Sequence, residues 1–452
     1  MSVTTHHKKS FAEALPSLKD GTQTSRQFLE ECLSNIAQAE KDVKAFVVMN
    51  VDAARKAADE STKRWKAGQP LSSIDGMPVG IKDVIETIDM PTQMGSAYYA
   101  KWQSNRDSAT VAALREAGAI ILGKTVTTEF AATVPGPTRN PHDLTRTPGG
   151  SSSGSAAGVA AGFIAGGLGT QVVGSIVRPA GYCGAWGFKP TLGALNRGGS
   201  HDYMSQSCAG VIAATRADTW HMASEIASRV GGDPGSLGLM GPLAVSAIKQ
   251  PKTLVFLETP GWVRATDQAK HLMQSLLAKL SHAGVRILTR SDLPLIAEVE
   301  EHLHEALPLT RIINAWESVW PLNTYVAHNP NAISQNMRDR LVEAKKLNLD
   351  SYRAALMKRE IVKQSFARLK PLADGCITLS SPDVAPVGLE STGDPIFVVP
   401  GSLLGVPALS IPGLKIDAMP LGIQMLGFAH EDHALFGSAG FVENIITGNK
   451  NG

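Results

Sequence analysis

Residues Thr147 to Phe163 read TPGGSSSGSAAGVAAGF, and no charged side chain appears from Ser151 to Val177. A run of this kind is a flexible linker, a membrane span or the interior of a packed domain. Linkers stand in polar surroundings; this one leads into AAGVAAGFIAGGLGTQVVGSIV, which is apolar. A lipid-facing span is excluded by the Gly, Ser and Thr content and by the lack of flanking anchor belts. A packed interior remains. Gly158, Gly162 and Gly166 recur every four residues, which predicts a helix with a face free of side chains that a neighbour approaches closely. A helix that begins just after the serines also points its free N–H groups at whatever those serines hold.

At 452 residues, 43% of them apolar and 19% charged, the chain has the balance of a globular protein. Lys and Arg number 43 against 41 Asp and Glu, a net charge of +2. That balance predicts neither nucleic acid nor an anionic membrane as partner. Cys32, Cys183, Cys208 and Cys376 are scattered without a CxxC pair, which argues against a disulfide framework or a zinc site and fits a reducing cytosol. The opening MSVTTHHKKSFAEALPSLKDG lacks the apolar core of a signal peptide. The expectation is a soluble, cytoplasmic protein.

Apolar spacing predicts helices over much of residues 10 to 70, with SRQFLEECLSNIAQAEKD and NVDAARKAADESTKRWKAG as the main segments. GMPVGIKDVI reads as a buried strand. DSATVAALREAGAIILGKT reads as a helix capped at Asp107, ended near Gly118 and followed by the strand AIIL. A helix follows at 215–230, then the strand KTLVFLE and a long charged helical tract from about 265 to 370. GCITLSSP, PALSIPG and LGIQMLG are late strands or strand ends. The pattern predicts one α/β domain over 1–452, a mixed, mostly parallel sheet between helical layers. Its lead-in at 1–70 is helical, and its most separable part is the helical subregion at 295–365.

Several local signals offer chemistry. GSSSG matches GxSxG with Ser152 as nucleophile, but a nucleophile elbow needs an apolar strand before it, and HDLTRTPGG is polar and broken by Pro148. His430 and His433 lie three apart and His302 and His304 two apart; without a third spaced ligand they read as surface histidines, so no metal site is expected. No GxGxxG or GxxxxGK[ST] cradle occurs, and no cofactor is expected. Cys183 has no basic neighbour and reads as a small packed residue.

Three separated pieces carry more weight together: PVGIKDVI around Lys82, PGGSSSGSAAGVAAG around Ser151, and GTQVVGSIVRPAGYCGAWGFKPT around Ser175. The chain resembles the amidase signature family over most of its length, with GMPVGIKD, TRNPHD, SLLGVPALSIP and PLGIQMLG in the family's order. The resemblance implies a Ser–Ser–Lys triad: Lys82 as base, Ser151 as the bridging serine after a cis peptide, and Ser175 as nucleophile. It places an oxyanion hole at the backbone N–H groups of Val172, Val173, Gly174 and Ser175. The chain departs from the family's commonest pattern. Gln171 stands where Asp is usual, Val173 replaces a Gly, and the arginine comes one place later at Arg178. A β-branched residue disfavours positive φ, so the loop's conformation is the point in question.

The resemblance implies an amide hydrolase that releases an acid and ammonia or an amine. The alternative is the glutaminase-type subunit of a tRNA-dependent amidotransferase; the arginine-bearing segment with which such subunits hold glutamine is not recognisable in residues 300–360. By analogy the pocket draws on residues 128–135, 182–186, 203–207 and 382–395. These loops offer Phe130, Trp186 and Tyr203 for apolar contact and Asp394 among few charges, which favours a neutral or aromatic amide. The partners expected are a small-molecule amide and, left open, a second copy of the chain as a homodimer.

Overall fold

The computed structural model describes residues 8–449, so the first seven residues of the opening segment lie outside it. One sheet of eleven strands runs through the molecule. Its strands in chain order are β1 (Phe46–Met49), β2 (Pro78–Lys82), β3 (Ile120–Thr125), β4 (Gly166–Gln171), β5 (Trp186–Lys189) and β6 (Cys208–Ala213). Then come β7 (Thr253–Phe256), β8 (Arg286–Leu288), β9 (Cys376–Leu379), β10 (Ala408–Ile416) and β11 (Met419–Leu426). They lie side by side in the order β1-β3-β2-β4-β6-β5-β10-β11-β9-β7-β8. Helices cover both faces, giving an α/β fold. The sheet is mixed as expected but not mostly parallel. Parallel pairing is confined to β3-β2-β4 and β9-β7-β8, and the other neighbours are antiparallel.

The small-residue run folds differently from the helix predicted through it. The helix spans only Ser153–Ala160. Gly162 turns the chain at φ 68°, and Gly166 opens β4. What the glycines permit is close approach on several sides. A Cβ on Gly154 would collide with Ala45 O and Val126 N, and one on Gly167 would lie 2.8 Å from Ser155 Cβ. The helix is thereby pressed against the ends of β2, β3 and β4, with every one of its residues buried.

Other boundaries also moved. β1 interrupts the helical lead-in and pairs antiparallel with β3, and β8 interrupts the later helical tract. The cap of the helix Ala109–Glu116 is Ser108, not Asp107. Asp107 instead accepts from Ile88 N–H (2.8 Å) and from the Arg115 guanidinium (2.9 Å). The helices Ala306–His328 and Gln335–Ala344 bring Leu322, Met337 and Leu341 against Phe130 and so close one side of the site region.

Candidate active site

β2 ends at Lys82, whose side chain is wholly buried. Its Nζ donates to Ser151 Oγ (2.7 Å), Thr170 Oγ1 (2.8 Å) and, more weakly, Thr170 O (3.3 Å). Burial pulls its pKa from 10.5 down to about 7, and the Asp202 carboxylate opposes that fall. An exposed Lys82–Asp83 pair is ruled out by this geometry. Asp83 instead faces Lys124 at 3.3 Å, both side chains being fully buried. Asp83 also accepts from Gln93 N–H (3.1 Å), and Lys124 donates to Thr92 Oγ1 (2.5 Å). Burial raises the Asp83 pKa and lowers that of Lys124 against their mutual attraction. This pair was missed in the sequence, where it shows only as a charge in each of two apolar strand segments.

The serine run divides its labour. Ser151 alone reaches Lys82, and the Gly150–Ser151 peptide is cis. Ser152 Oγ donates to Thr170 O (3.3 Å), Ser153 Oγ to Val126 O (3.1 Å), and Ser155 Oγ to Leu168 O (3.2 Å). These three hydroxyls tie the helix to the strand ends, and the nucleophile-elbow reading of Ser152 fails with them. Ser152 N–H donates to Ser175 O (3.2 Å), so the two serine segments lie side by side.

The loop from Val172 to Ser175 leaves β4 and enters the helix Val177–Cys183. Among the described residues, Val173, Gly174 and Ser175 have no carbonyl assigned to their N–H groups, and none of the loop sits at positive φ. Val173 is thus compatible with the turn. Gly174 is required by space, since a Cβ there would collide with Val398. Gln171 fastens the end of the loop to the start of the helix. Its Oε1 accepts from Ile176 N–H (2.8 Å) and Val177 N–H (3.0 Å). It adds a bond no carboxylate could make: Nε2 donates to Ser402 Oγ (3.0 Å), which donates on to Val173 O (2.9 Å). Ser402 shows in the sequence only as the first residue of SLLGVPALSIP, with no role attached to it. Arg178 is buried and clamps Gly150 O (2.8 Å), Thr392 Oγ1 (2.9 Å) and Gly393 O (3.0 Å). It therefore braces the residue preceding Ser151.

Of the expected pocket residues, Phe130 and Tyr203 line one cavity with Val84, Asp202 and Tyr325. Val84 follows Lys82 by two residues, so this cavity adjoins the lysine end of β2. Trp186 does not join them. It is a core residue of β5 whose Nε1 donates to Glu443 (2.8 Å). Asp394 does not line the cavity either, being paired with Arg264 (2.8 Å). Cys183 is buried and its thiol pKa is raised by burial. His433 is held by Ala244 O (3.2 Å), and among the described residues no group of three or more His, Cys, Asp or Glu is placed to hold a metal.

The mixed sheet, and a buried lysine on a serine hydroxyl beside a loop whose N–H groups lack carbonyl partners among the described residues, fit an amide-hydrolysing enzyme. A family model described as Amidase matches residues 27–436, and the chain belongs to that family. It is 30% identical over 471 residues to a glutamyl-tRNA(Gln) amidotransferase subunit of Chloroflexus aggregans, covering 96% of this chain and 95% of that protein. A solved amidase structure superposes with a TM-score of 0.84 at 26% identity, covering 97% of this chain and all of the other. The native peptide amidase of Stenotrophomonas maltophilia shares the fold at a TM-score of 0.78 and 24% identity, over 97% of each chain. Among the described residues no helix is long and apolar enough to cross a membrane.

Proposed function

We propose that the chain cleaves a carboxylic amide to the acid and ammonia or an amine, through an acyl-enzyme on Ser175. Ser175 Oγ attacks the carbonyl carbon while its proton passes through Ser151 Oγ to Lys82 Nζ. The oxyanion accepts hydrogen bonds from the N–H groups of Val172, Val173, Gly174 and Ser175. When the C–N bond breaks, the proton returns through Ser151 to the leaving nitrogen. Water then enters by the same relay, and the ester is hydrolysed. The observation that carries this reading is the 2.7 Å contact between a buried, pKa-depressed lysine and Ser151. The scheme asks for no cofactor or metal. It takes 1–452 as one functional domain working in the cytoplasm on a small amide; a homodimer is compatible with it.

A second reading is the glutaminase-type subunit of a tRNA-dependent amidotransferase. It is favoured by the name of the relative that matches over almost the full length. One assay separates the two. The purified chain alone is offered aliphatic, aryl and urea-type amides and glutamine, and acid and ammonia are measured. Turnover of simple amides without a partner supports the hydrolase. Glutamine turnover that appears only with added partner proteins supports the amidotransferase.

A further inference from the structure

Asp202, a carboxylate in an aromatic cavity, takes no step in the proposed chemistry, although its charge favours the ammonium form of Lys82. It is 6% exposed and lines the cavity beside Phe130, Tyr203 and Tyr325. Its Oδ1 is satisfied by the Ser207 hydroxyl at 2.5 Å, whereas its buried Oδ2 meets no donor among the described residues. A buried carboxylate oxygen without a donor is costly unless something else supplies one. The segment is held in place by contacts at the cavity wall itself, where Val84 and His201 also line the cavity. His201 N–H donates to Val84 O (2.9 Å), and the His201 ring faces Glu86 at 3.3 Å. The opposite wall carries backbone strain: Met94 (φ 53°) and Phe130 (φ 51°) both adopt left-handed conformations, and Phe130 N–H is fastened to Met94 O (2.8 Å). Non-glycine residues persist in that region where the surroundings enforce it, and such places cluster at ligand-binding sites.

Size limits what enters. The cavity offers about 70 Å³, room for a small polar group and not for a whole substrate. It is adjoined through Tyr203 and Met204 by a groove of about 480 Å³ lined by Trp316, Trp320, Tyr352 and Glu317. Charge limits it further. Two groups on the lining can carry positive charge, Arg340, bonded to Thr133 Oγ1 (3.2 Å), and His201, whose ring faces Glu86 and whose pKa burial lowers; Lys82, whose charge Asp202 favours, is bonded to Ser151 and Thr170 instead. The inner end therefore has a carboxylate and ring faces, the combination that recognises ammonium groups.

We propose that this cavity is a subsite for the amino group of an amine-bearing amide, with Asp202 as the specificity residue and the aromatic groove holding the substrate's body. The proposal rests on the amide-hydrolase reading and replaces the expectation of a neutral amide. The Asp202 carboxylate pairs with the substrate's ammonium, its side chain turning to present Oδ2, while the Phe130, Tyr203 and Tyr325 rings line the space around it.

Matched aromatic amides test it, such as 4-(aminomethyl)benzamide against 4-ethylbenzamide, with further pairs that place the amine closer to and farther from the carbonyl. Alkyl amines stay protonated at about pH 8. For at least one pair the enzyme is expected to favour the amine about ten- to hundredfold in kcat/KM, the worth of a charged hydrogen bond. In Asp202→Asn that ratio is expected to fall to near one, through KM. Equal rates for both members of every pair, or a preference that survives in Asp202→Asn, overturn the proposal. If no amide is turned over, the hydrolase reading fails, and calorimetric binding of the same pairs decides the subsite. Tighter binding of the amine by the unmodified chain alone supports it, and equal binding overturns it.

Discussion

Lys82 is charged in water at neutral pH and in that form takes no proton. Its place at the buried end of β2 changes this. With a pKa near 7 a large fraction is the free amine, already at Ser151. Because the working form is the neutral one, the rate is expected to rise as pH passes through about 7 and then to level off. Stability follows the same sign. Between about pH 7 and the ordinary value of 10.5 the unfolded chain holds a proton on this lysine that the folded chain has lost, so this group's contribution rises with pH across that window. Lys82→Arg is expected to abolish the ascending limb and nearly all turnover, because a guanidinium stays protonated. A pH–rate profile of that variant against the unmodified enzyme checks it. An active Lys82→Arg with an unchanged profile would remove Lys82 from the mechanism.

β4 and the loop after it convert sequence into a site. Gln171 fastens the first N–H groups of the helix Val177–Cys183 and, through Ser402, the carbonyl of Val173. Losing one oxyanion donor costs on the order of 10²–10³ in rate. Gln171→Ala, which frees the loop without deleting a donor, is expected to lower kcat by about tenfold or more with a smaller change in KM; steady-state kinetics at fixed pH read this directly. Deeper in the fold, Asp83 and Lys124 neutralise one another without solvent. Removing one partner strands the other, so Asp83→Asn is expected to lose about 3–5 kcal/mol in denaturant unfolding. An unchanged midpoint would show the pair to be dispensable. Strands with strong patterns were legible: PVGIK, AIIL (whose paired part starts at Ile120 and runs on to Thr125), CITL and the late pair β10 and β11 all pair in the sheet. β4 was not, because GGLGTQ has the composition of a loop and pairs between β2 and β6 only because neighbours occupy the space its side chains would fill. β1 and β8 are too short to show a period. Lys82 and Ser151 were legible through motif. Trp186 was misread since an aromatic residue in a small-residue segment says nothing about which face of the sheet it joins, and Asp202 stands one residue before the candidate loop at 203–207.

At the scale of the whole molecule, helices from the 295–365 region lie over the end of the sheet where β2 and the 199–207 segment meet. Tyr325, Met337 and Arg340 come from that region and Phe130, Asp202 and Tyr203 from the sheet side, so the cavity belongs to both. The hydrolase and the glutaminase-type protein would share this frame and the same proposed nucleophile; they differ in what is offered to it. The claim common to both is a covalent acyl group on Ser175. Intact-mass spectrometry after rapid acid quench of the full chain with a slowly turned-over amide, or with an acylating or phosphonylating serine reagent, tests it most directly. The account predicts one adduct per chain, located by digestion to the peptide containing Ser175 and absent in Ser175→Ala. A single adduct on the peptide's neighbour at Ser151 or Ser152, or an undiminished adduct in Ser175→Ala, would contradict it.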